Sequence, residues 1–218
     1  MAAPKSFFLT PEIHEYVVAH GTPPDAVQQA LIDETAQLPM AIMQISPEQG
    51  AFMTLLTRAL GVREAVEVGT FTGYSALAIA RGLPDDGHLL CCDVSDEWTS
   101  VGRRAWAEAG VDSKIELVLA PATDTLRALP DEEYVDLAFI DADKPSYPIY
   151  YEELLRRVRR NGVILVDNTL WGGAIADPAA DDESTLGIRA FNDMVAADDR
   201  VESALLTIGD GLTMLRKR

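Results

Sequence analysis

From Ala65 onward, short apolar runs alternate with helix-forming stretches, and few architectures accept that rhythm. Strands are predicted at about 65–68, 88–92, 115–119, 135–140 and 162–166, with helices between them at about 75–82, 97–109, 123–129 and 147–159. Consecutive parallel strands need a crossover, so the pattern demands a Rossmann-like, doubly wound α/β sheet, mostly parallel, with helices on both faces. After a helix at about 185–197, Val201–Ile208 and Leu212–Leu215 flank Gly209-Asp210-Gly211, a hairpin signal. The expected sheet therefore has seven strands, with an antiparallel one at its C-terminal end.

The segment before the alternation, about residues 10–60, reads as helices packed on the core or on a partner chain. Thr10-Pro11-Glu12 marks a helix start, Pro23-Pro24 a break, and a second helix runs from about Asp25 to Leu38. Ser46-Pro47-Glu48-Gln49 has the pattern of a capping box, with Ser46 as N-cap and Gln49 reaching back to it. Phe52, Leu55, Leu56 and Leu60 follow as an apolar stripe at helical spacing. Neither an internal repeat nor a linker interrupts the 218 residues, which are expected to form one domain.

A net charge of −17 argues against nucleic-acid or anionic-membrane partners, since both require a basic face. Cys91 and Cys92 are adjacent on a strand and so point to opposite faces, which disfavours a mutual disulfide. They read as reduced thiols of a cytoplasmic protein. Phe7-Phe8-Leu9 is too short an apolar run for a signal peptide, and no later stretch is long enough to span a bilayer.

Chemistry gathers first at Glu67-Val-Gly-Thr-Phe-Thr-Gly-Tyr-Ser75, a strand end, a glycine turn and a helix start. Gly69 and Gly73 allow a ligand close to the backbone. The spacing is not the G-x-G-x-x-G of a dinucleotide site, and no phosphate loop of the G-x-x-x-x-G-K-[ST] kind occurs. An acidic lining without Lys or Arg suits a cationic ligand such as S-adenosylmethionine, a sulfonium without phosphate. Glu67 lies inside an apolar run, where a carboxylate is costly unless a site uses it. Asp93 ends the second strand, where it could accept from ribose hydroxyls or, alternatively, cap a turn or helix.

A second constellation closes the fourth and fifth strands: Asp141-Ala142-Asp143-Lys144 and Asp167-Asn168. If these strands are neighbours, their acceptors meet at one end of the sheet. Two carboxylates and an amide oxygen are hard ligands, suited to Mg²⁺ or Ca²⁺ rather than Zn²⁺. His14, His20 and His88 are scattered and offer no softer alternative. Taken singly, each aspartate would be read as a turn or cap residue.

Together these stretches resemble the cation-dependent class I O-methyltransferases, the group of caffeoyl-CoA and catechol O-methyltransferases. The matching residues are Lys5-Ser6, Ser46–Gly50, Glu67–Ser75, Asp141–Lys144, Asp167-Asn-Thr-Leu-Trp171 and Gly209–Gly211, in family order along the chain. The resemblance implies that Glu67, Gly69, Ser75, Asp93, Ala122 and Asp143 contact S-adenosylmethionine. It implies that Asp141, Asp167 and Asn168 hold a divalent cation, Mg²⁺ or else Ca²⁺ or Mn²⁺, and that Lys144 is the catalytic base beside Asp141. Lys5 and Trp171 would border the acceptor, with core packing the other reading of Trp171. The family habit is a homodimer.

Two positions depart from the plant pattern: Ile45 replaces a Thr, and Gly172 replaces a substrate-contacting Asn, which leaves the acceptor preference open. Arg156, Arg157, Arg159 and Arg160 are read as a helix surface rather than a grip on CoA phosphates. The activity so implied is methyl transfer to one hydroxyl of an aromatic vicinal diol. Two other readings stand beside it, a cofactor-binding regulatory module without catalysis and a nicotinamide-dependent oxidoreductase.

Overall fold

The computed structural model describes residues 10–218. Its strands are β1 (Glu64–Val68), β2 (His88–Asp93), β3 (Ile115–Leu119), β4 (Val135–Ile140), β5 (Val158–Val166), β6 (Val201–Leu206) and β7 (Leu212–Lys217). They form one sheet in the order β3-β2-β1-β4-β5-β7-β6. β1 to β5 pair in parallel, and β7 runs antiparallel between β5 and β6. The hairpin thus inserts its second strand into the sheet and leaves β6 at the edge.

Eight α-helices accompany the sheet among the described residues: α1 (Pro11–His20), α2 (Ala26–Thr35), α3 (Pro47–Leu60), α4 (Tyr74–Gly82), α5 (Asp96–Glu108), α6 (Ala122–Ala128), α7 (Tyr147–Arg157) and α8 (Glu183–Ala196). Strand side chains alternate between two cores. Ala65, Leu89, Cys91, Leu137, Phe139 and Leu165 face residues of α3, α4 and α5, whereas Val66, Val68, Cys92, Ala138, Ile140 and Val166 face α6, α7 and α8. Burial on both faces explains why the strands are nearly continuous apolar runs. Cys91 and Cys92 are free and, as expected, lie in opposite cores.

The N-terminal segment departs from expectation in two ways. α2 ends at Thr35 rather than Leu38. Ser46 occupies the N-cap of α3 without a side-chain bond, and Gln49 turns inward and is 1% exposed instead of completing a capping box. The reason is tertiary. α3 buries Gln49, Gly50, Met53 and Thr57, and a Cβ on Gly50 would meet the Tyr74 ring at 2.7 Å. The apolar stripe is rotated away, so Phe52 and Leu56 are half-buried while Leu55 and Leu60 face outward.

β5 begins at Val158, four residues earlier than predicted, with Asn161 in the left-handed region (φ 64°) and a register irregularity between Val135 and Leu137. The basic run is therefore not one helix surface. Arg156 is exposed and pairs with Asp131, but Arg157 is 1% exposed and donates to the Leu129 and Glu153 carbonyls. Arg159 lies on β5 and pairs with Asp136. Among the described residues no helix is long and apolar enough to cross a membrane.

Candidate active site

The carboxyl ends of β1, β2, β4 and β5 carry the polar residues, at the switch in strand order where open α/β sheets bind ligands. The turn from β1 to α4 is shaped by contact as much as by conformation. Gly69 has φ 88°, and a Cβ there would stand 1.9 Å from the Asp141 carbonyl oxygen. Gly73, at φ 78°, lies against the Trp106 ring, whose Nε1 donates to its carbonyl at 3.0 Å. Ser75 follows in the first turn of α4 and is buried.

Asp93 holds this turn. One carboxylate oxygen accepts from the backbone N–H of Thr70 (2.8 Å) and Phe71 (2.9 Å), the other from Val94 (2.7 Å) and Ser95 (2.8 Å). Four N–H groups match a carboxylate's acceptor capacity of about four. The turn-capping alternative is thus the role its own contacts display.

Glu67 lies beneath the turn with no exposed surface. The Cys91 thiol approaches one of its oxygens at 3.8 Å, and the other has no partner. Burial first, and then the charges of Asp141 and Asp93, push its carboxyl up to about 8 against the pull of the Ser75 and Thr70 hydroxyls. Ala122 starts α6 just after β3, and Asp143 accepts from the Tyr150 hydroxyl at 2.5 Å.

β4 and β5 are neighbours, with Ile140 opposite Val166 and the Asp167 N–H bonded to the Ile140 carbonyl at 3.0 Å. That pairing sets Asp141 and Asp167 side by side. Asn168, at φ 57°, turns the chain so that its amide oxygen joins them. Lys144 is 8% exposed. Its Nζ donates to Asp141 Oδ1 (2.9 Å), to the Tyr147 hydroxyl (2.7 Å) and to Asn168 Oδ1. Tyr147 in turn donates to the Asp167 carbonyl at 3.2 Å.

Asp167 is 3% exposed, and burial followed by the charge of Asp141 pushes its carboxyl up to about 7. Gln49, the Asn168 N–H and Lys144 pull the other way. Trp171 (φ 47°) is half-buried, with Lys144 Nζ 5.6 Å from its ring centre, so it borders the constellation rather than filling the core.

The cluster is short of positive charge. Two adjacent carboxylates, one of them hard to ionise, share a single ammonium that bridges Asp141 and Asn168. The donor set fits a hard divalent cation in chemistry. Among the described residues no group of three or more His, Cys, Asp and Glu side chains gathers on a metal-sized site, so any such site here rests on the two aspartates with the Asn168 oxygen. Lys5 lies outside the described residues. Sequence reasoning missed Tyr147 and Gln49. Tyr147 stands three residues after Lys144, at the start of α7, a signal available in the motif; nothing local marks Gln49.

Known proteins share this fold and much of this sequence. A structure of an O-methyltransferase from Bacillus cereus in complex with SAH superposes with a TM-score of 0.86 at 31% identity, covering 95% of this chain and 97% of that one. TomG of Streptomyces achromogenes, an O-methyltransferase of tomaymycin synthesis solved with SAM, gives a TM-score of 0.85 at 30% identity over 94% and 96%. A Dictyostelium discoideum protein named "probable caffeoyl-CoA O-methyltransferase 2" is 41% identical over 94% of this chain and 91% of its own length.

Fold and relatives define the class, a Rossmann-like methyltransferase, and the two solved neighbours just named hold SAH and SAM. The model of the O-methyltransferase family matches residues 20–218, and the chain belongs to that family. The family excludes the oxidoreductase reading.

Proposed function

We propose that this enzyme transfers a methyl group from S-adenosylmethionine to one hydroxyl of a catechol-type aromatic, with a divalent cation, Mg²⁺ foremost, at Asp141, Asp167 and Asn168. The observation that carries the reading is the convergence of those three residues with Lys144, directly beside the Gly69 turn. The caffeoyl-CoA name of a relative supports a vicinal-diol acceptor.

In this reading Glu67, Gly69, Ser75, Asp93, Ala122 and Asp143 seat the donor, which supplies the methyl group on a sulfonium. When bound, the cation would act as a Lewis acid on both diol oxygens, favouring the anion of a phenol whose ordinary pKa is ~10. Lys144, oriented by Asp141 and Tyr147, would give up its own proton once the cation supplies the positive charge beside it, and the neutral amine would then receive the hydroxyl proton at Nζ. Trp171, and Lys5 from the N-terminal side, would wall the acceptor. Holding both reactants in line is a proximity effect able to contribute ~7–11 kcal/mol.

The whole chain would act as one domain. Exposed apolar residues on α1, α3 and the turn at 40–43 support a homodimer, the net charge of −17 argues against nucleic-acid or anionic-membrane partners, and the free thiols Cys91 and Cys92 fit a cytoplasmic setting. A panel of vicinal-diol aromatics, assayed with S-adenosylmethionine and Mg²⁺, should give monomethyl products that EDTA abolishes. Asp141→Ala should lose turnover while calorimetry still detects S-adenosylmethionine binding. Methylation indifferent to EDTA would remove the cation from the reading.

A further inference from the structure

The segment between β5 and α8 has few means of holding its shape. From Trp171 to Ala176 it runs as a 3-10 stretch without a buried residue, and Trp171, Gly172 and Gly173 all have positive φ. Residues 177–179 are exposed as well. Apolar packing therefore does not fix it. Asp210 holds its first residues through the Leu170 and Gly172 N–H groups, and the Asp177 and Ala180 N–H groups bond back to Ala174 and Asp177 within it; the side chain that reaches its carbonyls from outside is one on α8. Arg189 donates from Nε to the Ile175 carbonyl (3.0 Å), from Nη1 to Ala180 (2.8 Å), and from Nη2 to Ala174 (2.8 Å) and Asp177.

We propose that Arg189 is the positioning residue of the acceptor wall, fixing the segment from Trp171 to Ala180 relative to Lys144. This rests on the reading of Trp171 as a border of the acceptor site. A guanidinium suits the task because its donors form a rigid planar fork, able to serve several main-chain oxygens at once. An ammonium is a compact charge with three donors, and it cannot span the same set.

α8 makes the clamp a measure of distance. Two residues before Arg189, Gly187 packs on the backbone of the base itself, where a Cβ would stand 3.1 Å from the Lys144 carbonyl carbon and oxygen. About one turn after Arg189, the Asn192 amide donates to the Thr169 carbonyl at 2.9 Å, at the entry to the segment. A single helix thus touches the Lys144 turn, the start of the wall and its middle. All four partners of Arg189 are main-chain oxygens of the wall, so the residue acts through the segment it holds.

The test compares Arg189→Lys and Arg189→Ala with the parent enzyme, using a 3,4-dihydroxyphenyl acceptor, Mg²⁺ and S-adenosylmethionine. The acceptor KM should rise about ten-fold or more, with kcat changed only about two- to three-fold and the S-adenosylmethionine Kd unchanged. The ratio of the two monomethyl regioisomers should move toward unity, because a loosened wall no longer favours one ring orientation. A folded Arg189→Lys enzyme with the parental KM and regioisomer ratio would overturn the proposal. So would an equal loss of donor affinity, since that marks general structural support.

Hydrogen exchange on the same proteins without substrates separates this claim from the assigned reaction. Faster exchange confined to residues 172–181 supports the clamp even if no catechol is methylated by the parent, whereas faster exchange throughout the chain, or none, refutes it.

Discussion

A carboxylate sealed under a glycine turn is hard to ionise, and Glu67 carries the consequence into stability. Burial pushes its carboxyl up to about 8, above an ordinary value of 4.5. A group raised in this way contributes stability that is complete below about 4.5 and is lost as pH rises through about 8. The protein without added ligand should therefore resist urea better at pH 5 than at pH 8.5, with Asp167 acting in the same direction because its carboxyl is also pushed up. Glu67→Gln, which keeps the shape and removes the charge, should flatten that decline and be the more stable protein at pH 8.5. Urea midpoints across the range measure it; an unchanged slope would mean that Glu67 does not titrate with folding. Glu67 was legible as an oddity because an acid inside Ala65–Val68 breaks an apolar run. Gln49 was not, since a glutamine three residues after a serine at a helix start satisfies the capping rule locally, and only Tyr74 packing over Gly50 shows why it turns inward.

Elements are held here by side chains at their ends. The turn between β1 and α4 hangs on Asp93, which satisfies four N–H groups, two in that turn and two just after β2. Asn at this position keeps one acceptor oxygen and presents an NH₂ group to two of those donors. Asp93→Asn should cost about 1–3 kcal/mol, the desolvation of groups left unpaired, and weaken S-adenosylmethionine binding in calorimetry. A variant of unchanged affinity would show that the donor seat does not need the turn held. The strand–turn–helix order was readable from Glu67 to Ser75, and the pairing of Asp141 with Asp167 followed once β4 and β5 were neighbours. The start of β5 was hidden, because Val158-Arg-Arg-Asn161 carries no alternation and becomes strand only through pairing with Val135 on β4. Arg157 was hidden for the same kind of reason. Its burial depends on the Leu129 carbonyl, which is remote in sequence.

For the whole molecule, the alternation from Ala65 onward settled the class of fold, but the seat of β7 could not be read from the hairpin that contains it. The N-terminal helices were expected to pack on the core or on a partner chain, and their outer surface carries large apolar side chains. Leu55 is 57% exposed, Tyr16 62% and Ile42 93%, on α3, α1 and the turn before α3. Isolated apolar residues at a surface are ordinary, but these three are the ones the proposed homodimer would cover. Light scattering after size exclusion should find two chains per particle, and the double variant Ile42→Asp, Leu55→Asp should shift it to one. A parent protein that elutes as a single chain would sink the dimer.

The insertion of β7 has a consequence in time. The turn before it bonds to the segment carrying Trp171, through Thr169 N–H to Gly211, Leu170 N–H to the Asp210 carbonyl and Gly172 N–H to the Asp210 carboxylate. A growing chain can lay β1 to β5 side by side as it leaves the ribosome, yet one wall of the candidate site waits for residues 209–217. Competence waits for that stretch, so a nascent chain stalled before β7 would hold most of a sheet and no finished site.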